Sequence, residues 1–211
     1  MTTGQPLPQW LQWARRIQAI SQTGLTYAQD PFDRERYEEL RRIAAGIVAQ
    51  YSTMPESAAQ ACFGEQSGYA TPKIDIRAAV FRDGRILLVR ERSDGRWSLP
   101  GGWADAGISP AECAAKEVLE ESGYRVRAKR LLALLDRDRH GHPPLLFAVY
   151  KLFLECELLA AAPLAVNAET DAVGFFAEDE LPPLSLTRVQ PHQVARLFEL
   201  HRHPEWPADF D

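Results

Sequence analysis

The residues of this chain most able to do chemistry together lie in SPAECAAKEVLEESGY, residues 109–124, where Glu117, Glu120 and Glu121 fall within five positions. Ser109 is a good N-cap, Pro110 suits the first helical position, and Glu112 completes a capping box. Gly123 suits the left-handed position that ends a helix. These signals delimit a helix of about 13 residues. At about 100° per residue the three glutamates share one arc, and Ala111, Ala114, Ala115, Val118 and Leu119 form a neighbouring arc able to face a core. The crowding is locally unfavourable. Glu117 and Glu121 are four residues apart, where like charges cost some tenths of a kcal/mol, and the negative end of the helix dipole adds to this. Lys116 offsets part of it through Glu112 and Glu120. Two readings follow: a solvated acidic face, or a cluster neutralised by a divalent cation. Oxygen ligands of this kind suit Mg²⁺, which keeps places for waters and substrate phosphates.

The elements that must position such a cluster change character along the chain. Residues up to about 70 read as helical. Trp10, Trp13, Ala14, Ile17 and Ile20 form one stripe that stops at Gly24. Asp33 can cap a second helix whose stripe is Tyr37, Leu40, Ile43, Ala44, Ile47 and Val48, and PESAAQACFG is a shorter third. EQSGYATPK, 65–73, reads as a linker. After it, IDIRAAVF and RILLVRER flank Asp83-Gly84, a tight-turn signal, and predict a hairpin. RWSLPGGW predicts a short strand entering a glycine turn. Strands are predicted near 130–136, 145–157 and 172–176, and a last helix near 190–202. Strands on both sides of a helix predict an α/β layered fold with a mixed sheet.

A net charge of −5 argues against a broad face for duplex nucleic acid. MTTGQPLPQW lacks a signal-peptide pattern, and the apolar region 145–166 is broken by Lys151, Glu155 and Glu157, so no membrane span is expected. Cys62, Cys113 and Cys156 have no metal-ligand spacing and read as reduced, mostly buried thiols of a cytoplasmic protein.

Gly102 together with Lys116-Glu117-Val118-Leu119-Glu120-Glu121-Ser122-Gly123-Tyr124 closely resembles the Nudix box, with Gly102, Glu117, Val118, Glu120, Glu121 and Gly123 at the matching spacing. Ile108 stands where the box has its first glutamate, and Lys116 where it has arginine. WSLPGGW before the box and FFAEDELPPL after it also resemble the family. So do the helical N-terminus, GYATPKIDIRAAVF, GGWADAGISPAE and LLALLDRDRHGHPP, which are similar to a subgroup that acts on nucleoside diphosphates linked to a second group, including CDP-choline and ADP-ribose pyrophosphatases. In that subgroup an aliphatic residue at 108 and a lysine at 116 are typical.

The resemblance implies a Nudix α/β/α sandwich with a mixed sheet over residues 67–211, preceded by a small helical domain over 1–66. It implies Mg²⁺, or Mn²⁺, held by Glu117, Glu120 and Glu121. It also implies hydrolysis of the pyrophosphate bond of a nucleoside diphosphate–X to a nucleoside monophosphate and phospho-X. Glu120, Glu121 and Glu169 are its catalytic candidates; Arg77 and Arg90, on strands bordering the family's cleft, are candidate substrate contacts. In LDRDRHGHPP the density of ionisable groups suggests a site for base, ribose or phosphate, with Asp136, Asp138 and His140 as candidates, or else a solvated turn. The apolar stripes of the N-terminal helices favour a homodimer. Two alternatives remain: a nucleotide sensor or interaction module that has lost catalysis, and a housecleaning pyrophosphatase for nucleoside triphosphates.

Overall fold

The computed structural model describes residues 7–161 and 169–211. Residues 1–6 of the N-terminal reading, the end of the 145–166 apolar region and the first two residues of NAETDAVGFF lie outside them. Among the described residues no helix is long and apolar enough to cross a membrane. The chain forms two compact units. Of the described residues, one comprises Lys73–Pro143 and those within Val149–Asp211; the other comprises 7–72 together with Pro144–Ala148.

The second unit is helical: α1 Gln9–Tyr27, α2 Pro31–Tyr51 and α3 Glu56–Gly64. Its core is Ala14, Ala44, Ala45, Val48, Ala59 and Phe63, with Trp10, Ile17 and Ile47 packed against it. Trp13, Ile20 and Ile43, though on the predicted stripes, are exposed. Two boundaries differ from expectation. α1 runs through Gly24 to Tyr27. Gly24 is a place of close approach rather than a stop, since a Cβ there would lie 2.3 Å from the Tyr37 ring. The cap of α2 is Asp30, not Asp33: its Oδ1 accepts from Phe32 N–H at 2.6 Å, with Pro31 in the first turn. Leu146 and Phe147 join this core, and the Arg15 guanidinium donates to the Leu145 carbonyl.

The first unit holds one mixed sheet. Its elements are β1 Lys73–Arg82, β2 Arg85–Glu91, β3 Trp97–Ser98, α4 Pro110–Ser122, β4 Tyr124–Asp136, a 3₁₀ turn Arg137–Arg139, β5 Val149–Ala161, β6 Thr170–Phe176, α5 Pro191–Arg202 and β7 Asp209–Phe210. The strand order is β3-β2-β1-β5-β4-β7, with β6 paired to β2. β1 runs parallel to β5, and β4 to β7; the other pairs are antiparallel. Asp83 and Gly84 take φ of 52° and 72°, both positive, the turn that matches strand twist in a two-residue hairpin. Alternation along β1 divides the core. Ile76, Ala78 and Val80 pack with Cys113, Ala114 and Val118 of α4, whereas Ala79 packs with Val194, Leu197 and Phe198 of α5. The helices therefore cover opposite faces of the sheet.

The expected α/β/α sandwich is present. β4 starts at Tyr124, directly after the helix, rather than near 130. β5 starts at Val149 rather than 145, because Pro143 and Pro144 cannot donate to a ladder and the next residues belong to the helical core. The two-residue β7 is too short to give a periodic signal.

Candidate active site

Local rules build α4 as the sequence requires. Ser109 Oγ accepts from Glu112 N–H at 3.2 Å, Glu112 Oε2 accepts from Ser109 N–H at 2.8 Å, and Gly123 closes the helix at φ 74°. Cys113, Ala114 and Val118 are buried, while Ala111 and Leu119, expected on the same face, are exposed. That orientation leaves the acids at the boundary between core and solvent.

Glu121 is 5% exposed, Glu117 is half-buried and Glu120 is exposed. Glu121 Oε2 accepts from Gly101 N–H at 3.0 Å. Gly101, at φ 145°, can only be glycine: a Cβ would stand 2.0 Å from the Ile76 carbonyl. At Gly102 a Cβ would meet the Glu117 carboxylate at 3.4 Å, so the missing side chain leaves space beside that acid. Thr170 Oγ1 donates to the Glu121 carbonyl at 2.8 Å, and Arg92 N–H donates to the Glu169 carbonyl at 2.8 Å. The first bond brings the start of β6 to the end of α4, and the second ties Glu169 to the residue after β2. Glu169 is near enough to act electrostatically on Glu117.

Burial pushes the Glu121 carboxyl up to about 8; Arg77 and the Gly101 N–H pull the other way. Burial also raises Glu117, helped by Glu120 and Glu169 and opposed by Lys116 and Arg77. Lys116 is held strongly protonated by its bond to Asp105 at 2.7 Å, and stands 3.6 Å from Glu120.

Behind the acids lies a buried row of charge. Arg77 Nε donates to Asp75 Oδ1 at 2.9 Å, and Nη1 to the Leu99 carbonyl at 3.1 Å. The fully buried Lys151 donates to the other Asp75 oxygen. Burial works to raise Asp75, but Arg77 and Lys151 overcome it and hold the carboxyl below its usual range. Burial lowers Lys151 to about 8 despite Asp75. Arg77 and Glu121 thus grip the 99–101 loop from two sides.

The sequence-derived candidates separate accordingly. Glu117, Glu121, Glu169 and Arg77 come together. Glu120 lies on the same helix end but turns to Lys116. Arg90 faces outward on β2, bonded to Asp171 at 2.6 Å. Asp136, Asp138 and His140 stand at the end of β4, two strands from β1; Asp136 caps Asp138 N–H at 3.1 Å, and His140 Nε2 lies 3.0 Å from Asp211. Among the described residues no group of three or more His, Cys, Asp or Glu side chains is gathered closely enough to hold a metal ion. Glu121 is bonded to Gly101 N–H and Glu120 stands by Lys116, so the carboxylates diverge. The donor set nevertheless fits a hard divalent cation. It is all oxygen, two of its acids are held against ionisation by burial, and Gly102 leaves room beside one of them.

Asp75, Glu91 and Lys151 were missed as members of the site. Their signal was available as charges at inward positions of otherwise apolar strands, in KIDIRAAVF, RILLVRE and VYKLFLE. Glu91 is buried, accepts from Ser98 Oγ at 2.9 Å and pairs with Arg188 at 2.9 Å.

An α/β/α sandwich with these glutamates at the end of its first-face helix defines a class, and comparison with known proteins gives it a name. Residues 71–197 match the family model described as the NUDIX domain, and residues 8–63 match that of a UDP-X-like N-terminal oligomerisation domain. The chain belongs to the Nudix family and is a Nudix pyrophosphohydrolase. It is 46% identical over 202 residues to YjhB of Bacillus subtilis strain 168, provisionally named an ADP-ribose pyrophosphatase, covering 96% of this chain and 97% of that one. Among solved structures it is similar to a UDP-X diphosphatase, at 34% identity and TM-score 0.62, covering 98% of this chain and 100% of that one. It is also similar to an ADP-ribose pyrophosphatase from Streptococcus suis 89-1591, at 45% identity and TM-score 0.62, covering 67% of this chain and 100% of that one.

Proposed function

We propose that the protein hydrolyses the pyrophosphate bond of a nucleoside diphosphate linked to X, of the ADP-ribose, UDP-X or CDP-choline type, giving a nucleoside monophosphate and phospho-X with Mg²⁺ as cofactor. The observation that carries this reading is the meeting of Glu117, Glu121 and Glu169 beside the Gly101–Gly102 turn, with Glu120 on the same helix end and acting electrostatically on Glu117. Relatives named for ADP-ribose and UDP-X support the substrate class. Bound there, the cation supplies charge neutralisation at the phosphates and lowers the pKa of the attacking water.

Glu117, Glu120 and Glu121 would hold that cation. Glu169, or one of the three, takes the proton from water at its carboxylate oxygen. Arg77, expected from the sequence to touch phosphate, is buried and engaged by Asp75 and Leu99; in this reading it sets Glu121 from behind. Arg90, Asp136, Asp138 and His140 remain candidates for substrate contact. The helical domain, 1–66, forms a homodimer, which light scattering would read directly, and the hydrolase domain, 67–211, carries the chemistry in the cytoplasm.

The test is a panel of ADP-ribose, UDP-glucose, CDP-choline and a nucleoside triphosphate, each with and without Mg²⁺, for wild type and Glu120→Gln. Metal-dependent release of nucleoside monophosphate, lost in the variant, is expected. Inorganic pyrophosphate from the triphosphate alone would select the housecleaning reading. Tight nucleotide binding without turnover would select the sensor.

A further inference from the structure

The buried row of charge behind the acids contains a lysine to which the chemistry above gives no task. Lys151 is fully buried on β5, between the buried apolar residues Val149 and Phe153 of the same strand face. Register decides what it meets. β5 runs parallel to β1, Lys151 pairs with Asp75 and Phe153 with Arg77, and Asp75 and Arg77, two residues apart, share one face of their strand. Stability does not account for a lysine at this position. A buried ion pair is often no better for a fold than apolar residues of the same volume. Here Arg77 and Arg137 also repel the ammonium.

The bonds within the row show what the lysine changes. When both oxygens of a carboxylate are free, an arginine can meet them with two parallel N–H groups, such as Nε and Nη2. At Asp75 they are not both free. Lys151 Nζ donates to Oδ2, and Arg77 reaches Oδ1 through Nε at 2.9 Å. Arg77 Nη1 donates to the Leu99 carbonyl at 3.1 Å, which steadies the turn that carries Gly101. Nη2 makes no hydrogen bond among the described residues, and it is not one of the side-chain nitrogens closed off from solvent. The Arg77 side chain as a whole keeps 7% of its surface exposed.

Charge gives the same result as geometry. Lys151, Asp75 and Arg77 are two cations and one anion, so the row keeps a positive surplus, and Arg77 is its member nearest the acids. Arg77 acts electrostatically on Glu117, Glu121 and Glu91. Among the described residues, however, its ion pair is with Asp75. A cationic nitrogen left over beside the acid cluster, and not bonded by it, suits an anion that arrives from outside.

We propose that Lys151 is a positioning residue for the substrate's phosphates: by occupying Asp75 Oδ2 it prevents a two-point grip on Arg77 and leaves Arg77 Nη2 to donate to a phosphate oxygen. The inference rests on the pyrophosphatase reading above. It gives the nitrogens of Arg77 separate tasks, Nη1 on the Gly101 turn and Nη2 towards substrate. Lys151 itself touches no part of the substrate and acts through Asp75 alone.

Lys151→Met keeps most of the side chain and removes its charge. Asp75 can then hold Arg77 at two points, and the row loses its surplus. Adding Asp75→Asn reverses both effects: an amide has one acceptor oxygen, so Arg77 is again held at one point, and the row is again positive. Calorimetric titration in Mg²⁺ with α,β-methylene-ADP, whose bridging carbon resists hydrolysis, reads binding without turnover. Lys151→Met is expected to weaken binding about tenfold, the loss of one charge-assisted hydrogen bond, and to raise KM for ADP-ribose to match with kcat little changed. The double variant is expected to bind like wild type. A lysine that served only the fold predicts the reverse order, since the double variant has lost more partners. Wild-type affinity in Lys151→Met, or a double variant no better than the single one, overturns the inference and leaves the pyrophosphatase reading standing. If Lys151→Met does not fold, wild type labelled with ¹⁵N-arginine decides. The Arg77 Nη2 signal is expected to move when the analogue is added while Nε stays; an unmoved Nη2 signal overturns the inference. Affinity that falls and recovers in the expected order, without hydrolysis of any nucleoside diphosphate–X by wild type, upholds the role of Lys151 and removes the pyrophosphatase reading.

Discussion

Replacing Glu121 by Gln should stabilise the metal-free protein while destroying its catalysis. The carboxyl's usual value is 4.5, and burial raises it to about 8 in the folded chain. For an acid raised on folding, the contribution is fully present below the unfolded value and is lost as pH rises towards the folded one. The window is therefore about pH 4.5 to 8, with stability falling upward through it. At pH 7 the unfolded carboxyl has ionised over about 2.5 units while the folded one has barely begun, which at about 1.4 kcal/mol per unit is a loss of about 3 kcal/mol. Glutamine does not titrate, and its side-chain oxygen can keep the bond from Gly101 N–H, so the loss disappears. Arg77 retains Asp75 and Leu99 as partners in the variant. Calorimetry in EDTA should show the Tm difference, variant minus wild type, widening between pH 5 and pH 7 by about 4–12 °C, given about 2–4 °C per kcal/mol for a chain of this size. Adding Mg²⁺ should raise the wild type alone. A Tm difference that does not change with pH, or that narrows as pH rises, would refute burial as the cause and the placement of Glu121 with it.

Two neighbouring glycines should behave differently. Gly101→Ala forces a Cβ to 2.0 Å from the Ile76 carbonyl at φ 145°, so soluble folded protein should be lost or thermal unfolding lowered by well over 10 °C. Gly102→Ala meets only the end of the Glu117 side chain at 3.4 Å; circular dichroism should show it folded, with weakened metal-dependent turnover. Ser109→Ala removes the cap of α4 and should cost about 1 kcal/mol, read by urea titration, with activity per folded molecule preserved. A larger loss of activity than of stability would mean that the cap sets the acids and not only the helix.

Much of the architecture was readable because it depends on short-range rules. The Ser109 cap, the Gly123 stop, the Asp83-Gly84 hairpin and the acidic arc of α4 each follow from a few neighbouring residues, whose backbone preferences leave little choice. Local ambiguity produced the errors. Asp30 and Asp33 are both able caps, and Pro31 decides between them. Gly24 looks like a helix end, yet α1 runs through it, and its missing side chain makes room for the Tyr37 ring of α2.

The site divides along the same line. Residue type and spacing along one helix put three glutamates on one arc and left a solvated face and a metal site both open; it was the resemblance to the Nudix box that proposed them as ligands. That Glu169 joins them depends on Thr170 reaching the end of α4, and that Glu121 is buried depends on Gly101 and Arg77 arriving from other strands. The register of β1, β5 and β4 likewise decides that Arg77, Phe153 and Ala133 share a row. A carboxyl's charge is set by what surrounds it, and those surroundings exist only once distant segments of the chain have packed.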